Sequence, residues 1–201
     1  MNVIAVIPAR GGSKRLPRKN LHPVLGTPMI AWTIRACRDS RYVSEVYVST
    51  EDEEIGRVAR QWGAAVIQRP PVLAADDVPK QEAIVHAVEH LLARGKSPDI
   101  VMSVQPNSPE LTGRDLDAGL EKLVANDLWE VFSVDARLIQ NGAFRIMRRQ
   151  TVFLKTLSVH CGVVVADCLD AHTREDVEAV EARLKAKLAH VGSLPAEEAE
   201  R

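Results

Sequence analysis

Five cations fall within ten residues near the amino end: Arg10, Lys14, Arg15, Arg18 and Lys19. Gly11, Gly12 and Ser13 stand among them, and Pro8 separates the group from the apolar run Val3–Ile7. Glycines let a backbone approach a ligand closely and turn successive N–H groups toward it. Cations beside such a loop suit a polyanion, and a nucleoside triphosphate is the polyanion expected. A solvated basic turn would use the same residue types. Position favours the ligand, because open α/β sheets carry their crevice beyond the carboxyl ends of the strands and this loop directly follows one. Neither G-x-x-x-x-G-K-[ST] nor G-x-G-x-x-G fits Gly11-Gly-Ser-Lys14.

Other groups could also do chemistry. His86-Ala-Val-Glu89-His90 matches H-x-x-E-H, with two histidines on one helical face that could hold Zn²⁺. The plainer reading is a histidine-bearing helix that covers a sheet. Asp76 and Asp77 are adjacent carboxylates in a loop, where side chains ordinarily diverge into solvent. Asp170 and His172 project to one side if the backbone is extended between them, as metal ligands would, or they precede a helix cap. Arg145 and His160 could meet an acceptor's acidic group, although a surface arginine and a half-buried histidine explain them equally. Trp32 and Trp62 read as core residues. Glu178, Glu181, Arg183, Lys185 and Lys187 read as a solvated helix face.

The elements that must position these groups follow from periodicity. Val3–Ile7 predicts a buried strand, and Met29, Ile30, Ile34 and Cys37 predict a helix after Pro28 that ends near Asp39. Glu45–Ser49 reads as a strand, with Thr50 capping a helix from Asp52 to Trp62 that stops at Gly63. Ala64–Ile67 is a third strand. Paired prolines make 69–77 a loop, and Lys80–Arg94 is a helix. Asp99–Val104 is a strand that ends in Gln105-Pro-Asn-Ser-Pro109, and Thr112 with Asp115 opens a helix to about Val124. Glu130–Val134 and Cys161–Ala166 read as strands and Thr173–Leu188 as a helix. Phe144–Met147 with Val152–Leu154 predicts a hairpin at a sheet edge. Alternating strands and helices give a single three-layer α/β/α domain over 1–191 with a mainly parallel Rossmann-like sheet, followed by a flexible tail at 192–201.

The opening stretch, Ile7-Pro-Ala-Arg10-Gly-Gly-Ser13-Lys14 followed by Lys19-Asn20, resembles the I-P-A-R-x-G-S-K-x-x-x-x-K-N motif of the nucleotide-sugar cytidylyltransferases. The CMP-sialic acid synthetases are the nearest group and the CMP-KDO synthetases a more distant one. Val48-Ser-Thr-Glu-Asp-Glu-Glu-Ile55, Gly63-Ala with Arg69-Pro70, Gln105-Pro-Asn-Ser-Pro109 and Asp170-Ala-His-Thr-Arg-Glu-Asp176 resemble further blocks of that family. The resemblance implies transfer of CMP from CTP to a small acidic acceptor, a 2-keto sugar acid, with release of pyrophosphate. It implies a nucleotide site made of Ala9, Arg10, Gly12, Ser13, Lys14, Lys19, Asn20, Arg69 and Lys80, with Arg10, Lys14 and Lys19 also carrying the catalytic charge. Gln105 and Asn107 would meet the acceptor, and Asp170 with His172 would hold Mg²⁺ or another divalent cation. The resemblance also suggests a homodimer, although the stretch between Val134 and Cys161 is shorter than the insertion those enzymes use for dimer contacts, which leaves the oligomeric state open. Three positions depart from the family pattern. His172 replaces the second carboxylate of D-x-D, Glu110-Leu-Thr replaces a cation-bearing segment, and Asp77-Val-Pro-Lys80 replaces a serine-containing turn. These departures keep open a different nucleotide or acceptor, or a protein of the same fold that binds nucleotide without turnover.

Bulk properties limit the remaining classes. Basic and acidic residues number 26 and 27, so the basic cluster is local and no general nucleic-acid surface is expected. No apolar run approaches the roughly 20 residues of a membrane span. The amino end lacks a basic segment followed by an apolar one, and Cys37, Cys161 and Cys168 lack metal spacing, so a reducing cytoplasm is the expected setting.

Overall fold

A computed structural model of the chain describes residues 1–156 and 158–192. Among them nine strands and five α-helices alternate: β1 (Val3–Pro8), β2 (Pro23–Val24), β3 (Thr27–Pro28), α1 (Met29–Asp39), β4 (Glu45–Thr50), α2 (Glu53–Gln61), β5 (Ala65–Gln68), α3 (Lys80–Leu92), β6 (Ile100–Val104), α4 (Gly113–Ala125), β7 (Glu130–Val134), β8 (Gln140–Arg148), β9 (Cys161–Val165) and α5 (Arg174–Gly192). Seven strands form one sheet in the order β5-β4-β1-β6-β8-β7-β9, and β2 with β3 forms a small ribbon. Within the large sheet only β8 runs antiparallel to its neighbours.

The central strand explains its own composition. Val3, Ala5 and Ile7 pack with α1, α2 and α4 on one face, while Ile4 and Val6 pack with Ile84, Ala87, Val88 and Leu91 of α3 on the other. A strand covered on both faces needs an unbroken apolar run rather than alternation. Burying each of its larger aliphatic side chains contributes about 1.5–3 kcal/mol relative to exposure. From β1 the chain steps outward to β4 and β5, then crosses back to lay β6 on the other side of β1. The carboxyl ends of β1 and β6 therefore flank the place where strand order reverses, and a crevice opens there.

Several expectations are corrected. The predicted hairpin is one long strand, β8, between β6 and β7, with Met147 opposite both Val101 and Glu130. Arg149–Phe153 is a 3₁₀ turn whose Val152 is buried against α3, where Gln81 Nε2 also donates to the Val152 carbonyl at 2.6 Å. That side chain fills the core below the sheet and does not pair at its edge. Asp52, not Thr50, caps α2 by accepting from the Ile55 N–H at 2.9 Å. α5 starts with a reciprocal Thr173–Asp176 cap and extends past Leu188 to Gly192. The rest of the expected tail, 193–201, lies outside the described residues.

The supposed solvated face of α5 is partly a fastening. Glu181 accepts the Leu25 N–H at 2.8 Å, and Arg183 and Lys187 both reach Glu110 at 2.8 Å. Underneath, Val177, Val180 and Leu184 pack on Leu16, Val24, Met29 and Ala171. No described helix is long and apolar enough to cross a membrane.

Candidate active site

A cleft of about 330 Å³ opens at the carboxyl ends of the central strands. Arg10, Gly12, Ser13, Lys19 and Asn20 from the loop after β1 form one wall. Arg69, Asp76 and Val78, between β5 and α3, and Lys80, the first residue of α3, form a second, and Gln105 and Asn107 after β6 also line the cleft. Nine of the residues expected at the site are thus gathered around one concavity.

The first wall is held by the segment Glu51–Glu54. Arg18, in a left-handed conformation at φ 56°, inserts its guanidinium between the Asp52 and Glu54 carboxylates. Arg18 holds the Asp52 carboxyl below its usual range, chiefly by hydrogen bonding. Gly11 passes so near that a Cβ there would run into the Asp52 carboxylate. Its N–H donates to Glu51 Oε1 at 2.7 Å, and Glu51 Oε2 pairs with Arg69 Nη2 at 2.6 Å. One carboxylate therefore ties the two walls together. Gly12, by contrast, faces open space, with room for a ligand. Leu16 is buried beneath the loop as its apolar anchor.

Asn20 is buried, and its Nδ2 donates to the Arg10 carbonyl at 2.9 Å. Its Oδ1 is also buried and has no protein partner, an acceptor on the cleft wall that suits a donor from a bound molecule. Arg69 is buried as well, with Nε unpaired.

Four expected residues, Ala9, Lys14, Asp170 and His172, do not line the cleft. Ala9 is wholly buried, and its N–H is taken by the Ser49 carbonyl at 3.0 Å, so neither its side chain nor its amide is open to a ligand. Lys14 sits on the rim with its side chain 83% exposed, paired with Asp76 at 2.5 Å. Asp76 also holds Arg10 at 2.7 Å. Lys14 and then Arg10 push the Asp76 carboxyl below its ordinary range.

Asp170 and His172 lie beside the loop residues on the short connection between β9 and α5. The Ser108 hydroxyl donates to Asp170 Oδ1, and the Asn107 carbonyl accepts the Ala171 N–H at 2.9 Å. Burial raises the Asp170 pKa, opposed by the Ser108 hydrogen bond and the nearby His172, Lys80 and Lys19. His172 Nδ1 faces Lys19 Nζ at 3.4 Å, and both groups are shifted down chiefly by burial. Mg²⁺ takes hard oxygen ligands and keeps most of them as water and substrate phosphate, so a single carboxylate such as Asp170 fits it. An imidazole nitrogen facing a lysine is the poorer donor. No cluster of three or more His, Cys, Asp or Glu suited to a metal exists among the described residues.

The remaining candidates have structural roles. His86 and His90 share a face of α3 with ring centroids 6.1 Å apart, and no third ligand joins them among the described residues. Arg145 is gripped by the buried Glu130 and touches Gln81. His160 stacks on Trp129. Trp32 and Trp62 are half-buried against the core, as expected. Cys37 and Cys168 are buried and Cys161 is exposed, all as free thiols.

Sequence reasoning missed Glu51, although it lies within a quoted motif, and expected Asp76 to diverge into solvent, whereas it pairs with Arg10 and Lys14. Glu110, which stands in the segment where the family carries a cation, has a structural role that its sequence context does not signal. It is fully buried, accepts the Leu169 N–H at 3.0 Å and receives Arg183 and Lys187.

Residues 4–180 match the sequence profile of the cytidylyltransferase family. The chain belongs to that family. It is 35% identical over 136 residues to N-acylneuraminate cytidylyltransferase A of Danio rerio, covering 68% of this chain and 31% of that protein. It is 37% identical over 127 residues to the pseudaminic acid cytidylyltransferase of Campylobacter jejuni, covering 63% of this chain and 55% of that one. The chain thus spans from about a third to about half of the length of these curated relatives. In fold it is similar to a CMP:2-keto-3-deoxy-manno-octonic acid synthetase complexed with CTP, with a TM-score of 0.74, 20% identity and coverage of 93% of this chain and all of the other.

Proposed function

We propose that this protein transfers CMP from CTP to the hydroxyl of a 2-keto sugar acid. The acceptor oxygen forms the bond to the α-phosphorus, the bond from that phosphorus to the β-phosphate bridge breaks, and pyrophosphate leaves while the hydroxyl proton passes to solvent. What supports the reading most directly is the wall of Arg10, Gly12, Ser13, Lys19 and Asn20 lining one cleft with Gln105 and Asn107, in a chain of the cytidylyltransferase family. Phosphoryl and nucleotidyl transfer leave a protein little covalent work, so positioning and charge must supply the rate.

Arg10 and Lys19 bind the triphosphate and hold its negative charge as pyrophosphate departs. Ser13 and the open backbone at Gly12 complete the cradle, with Lys14 added from the rim. Asn20 Oδ1 accepts from the nucleoside. Arg69 braces the second wall, and Gln105 and Asn107 orient the acceptor. Asp170 is the residue that would hold a divalent cation, with His172 beside it, and such an ion when bound supplies positive charge against the phosphate oxygens. A homodimer belongs to the same proposal, supported by the exposed Val163 and Val165 on edge strand β9, and sedimentation analysis tests it.

Incubation with CTP, Mg²⁺ and a panel of 2-keto sugar acids tests the reaction, with pyrophosphate and CMP-sugar formed in equal amounts as the expected result. CTP binding without turnover of any acceptor would instead support the nucleotide-binding reading.

A further inference from the structure

A sugar acid carries a carboxylate into a cleft that must also hold a triphosphate, so a separate cation is needed to recognise it. Most cations around the cleft are already engaged. Arg10 and Lys14 pair with Asp76, Arg69 with Glu51, Arg18 with Asp52 and Glu54, and Lys19 lies against His172. Lys80 differs. It lines the cleft at the start of α3 and has no hydrogen bond or ion pair from its side chain among the described residues. The residue is exposed, yet desolvation of its ammonium by the surrounding protein lowers its pKa, while Asp170 draws it back up.

Lys80 is also the first residue of α3, a helix of 13 residues whose Pro79 cap offers no side-chain acceptor. The positive end of the helix dipole and the ammonium group therefore act at one place. Gln105 and Asn107 line the same cleft.

On the reading of the protein as a sugar-acid cytidylyltransferase, we propose that Lys80 is the residue that recognises the acceptor's carboxylate and sets the preference for acidic over neutral acceptors. This moves Lys80 out of the nucleotide site that the family resemblance implied and separates two duties: the loop after β1 serves the nucleotide and the start of α3 serves the acid. Arg145, the other cation near Lys80, is held by the buried Glu130.

The test compares wild type with Lys80→Gln and Lys80→Arg, using N-acetylneuraminic acid and its methyl ester as acceptors at saturating CTP and Mg²⁺. A hydrogen-bonded charge pair contributes roughly 1.5–3 kcal/mol, so Lys80→Gln is expected to raise KM for the acid about ten- to a hundredfold. KM for the ester and for CTP should stay within about twofold of wild type, because neither depends on that pair. Lys80→Arg should recover most of the discrimination.

An unchanged acid-to-ester ratio in Lys80→Gln would overturn the proposal. A rise in KM for CTP would overturn it by assigning Lys80 to the nucleotide, and an equal loss of kcat with both acceptors by reducing it to a partner of Asp170. If wild type turns over no member of the 2-keto sugar acid panel, the transferase reading fails separately. Calorimetric titration of the acid and ester into CTP-loaded wild type and Lys80→Gln then decides the Lys80 assignment by the same ratio.

Discussion

Asp76 Oδ1 lies 2.7 Å from Arg10 Nη1, so a carboxylate rests on one of the cations that face the cleft. The same side chain reaches Lys14, and it is about half exposed. An incoming triphosphate competes with Asp76 for both cations.

Asp76→Asn should therefore bind CTP more tightly than wild type. Exposed ion pairs contribute little to stability, so the gain should be no more than about fivefold. It should fade as salt rises, since screening weakens the pair that wild type must break. Calorimetric titration at two ionic strengths checks this, and weaker binding by the variant would show that Asp76 helps to shape the site.

Glu51 joins the Gly11 N–H to the buried guanidinium of Arg69. Removing it leaves Arg69, only 4% exposed, without its counter-ion. Loss of one partner from a buried pair costs about 3–5 kcal/mol. For a chain of this size Glu51→Ala should lower Tm by roughly 6–20 °C, and CTP affinity should fall with it. Glu51→Gln retains an acceptor for Gly11 and should lose less. Calorimetric melting of both variants is the check, and an unaltered Tm for Glu51→Ala would remove the brace from the account.

Asp170 carries a raised pKa, with burial as the first cause. In the range between the ordinary aspartate value and the raised one, the folded state binds more protons than the unfolded chain. Stability contributed by this group is thus fully present below the ordinary value and is lost as pH rises through the raised one. Asp170→Asn should consequently be more stable than wild type at pH 7, by a margin smaller at pH 4.5, while transfer activity falls. Urea unfolding at the two pH values measures the margin, and a variant less stable than wild type at pH 7 would contradict the burial argument.

Glu110 connects the loop after β6 to α5 through Arg183 and Lys187, and to the Asp170 segment through the Leu169 N–H. Glu110→Ala should destabilise the fold by about 1–3 kcal/mol, chiefly by leaving the Leu169 N–H without its acceptor, because the Arg183 and Lys187 side chains it releases are 38% and 49% exposed. A double-mutant cycle with Arg183→Ala should return a coupling of about 0.5–3 kcal/mol. Additive effects would mean that the two side chains act independently.

Local pattern carried much of the fold. Val3–Ile7 reads as a buried strand because helices cover both of its faces, and the Thr112–Asp115 cap forms as its spacing demands. The misread element, β8, pairs not only with the preceding strand β7 but also with β6, which is distant in sequence, and nothing within Gln140–Phe153 specifies that Val152 turns into the core. The site shows the same division. Arg10, Lys19 and Asn20 announce themselves as one motif. Asp76 and Glu51 become relevant only once the sheet brings their loops against that motif, and a buried Glu110 becomes intelligible only when α5 returns with Arg183 and Lys187.

The central claim is that the loop after β1 holds the phosphates of CTP. Calorimetric titration of CTP, and separately of cytidine, into wild type and into the double variant Arg10→Ala/Lys19→Ala, in the presence of Mg²⁺, tests it most directly. Wild type should bind CTP at least about a hundredfold more tightly than cytidine, as two charge-assisted contacts would give, and the double variant should lose most of that difference. Equal affinity of the double variant and wild type for CTP would contradict the account.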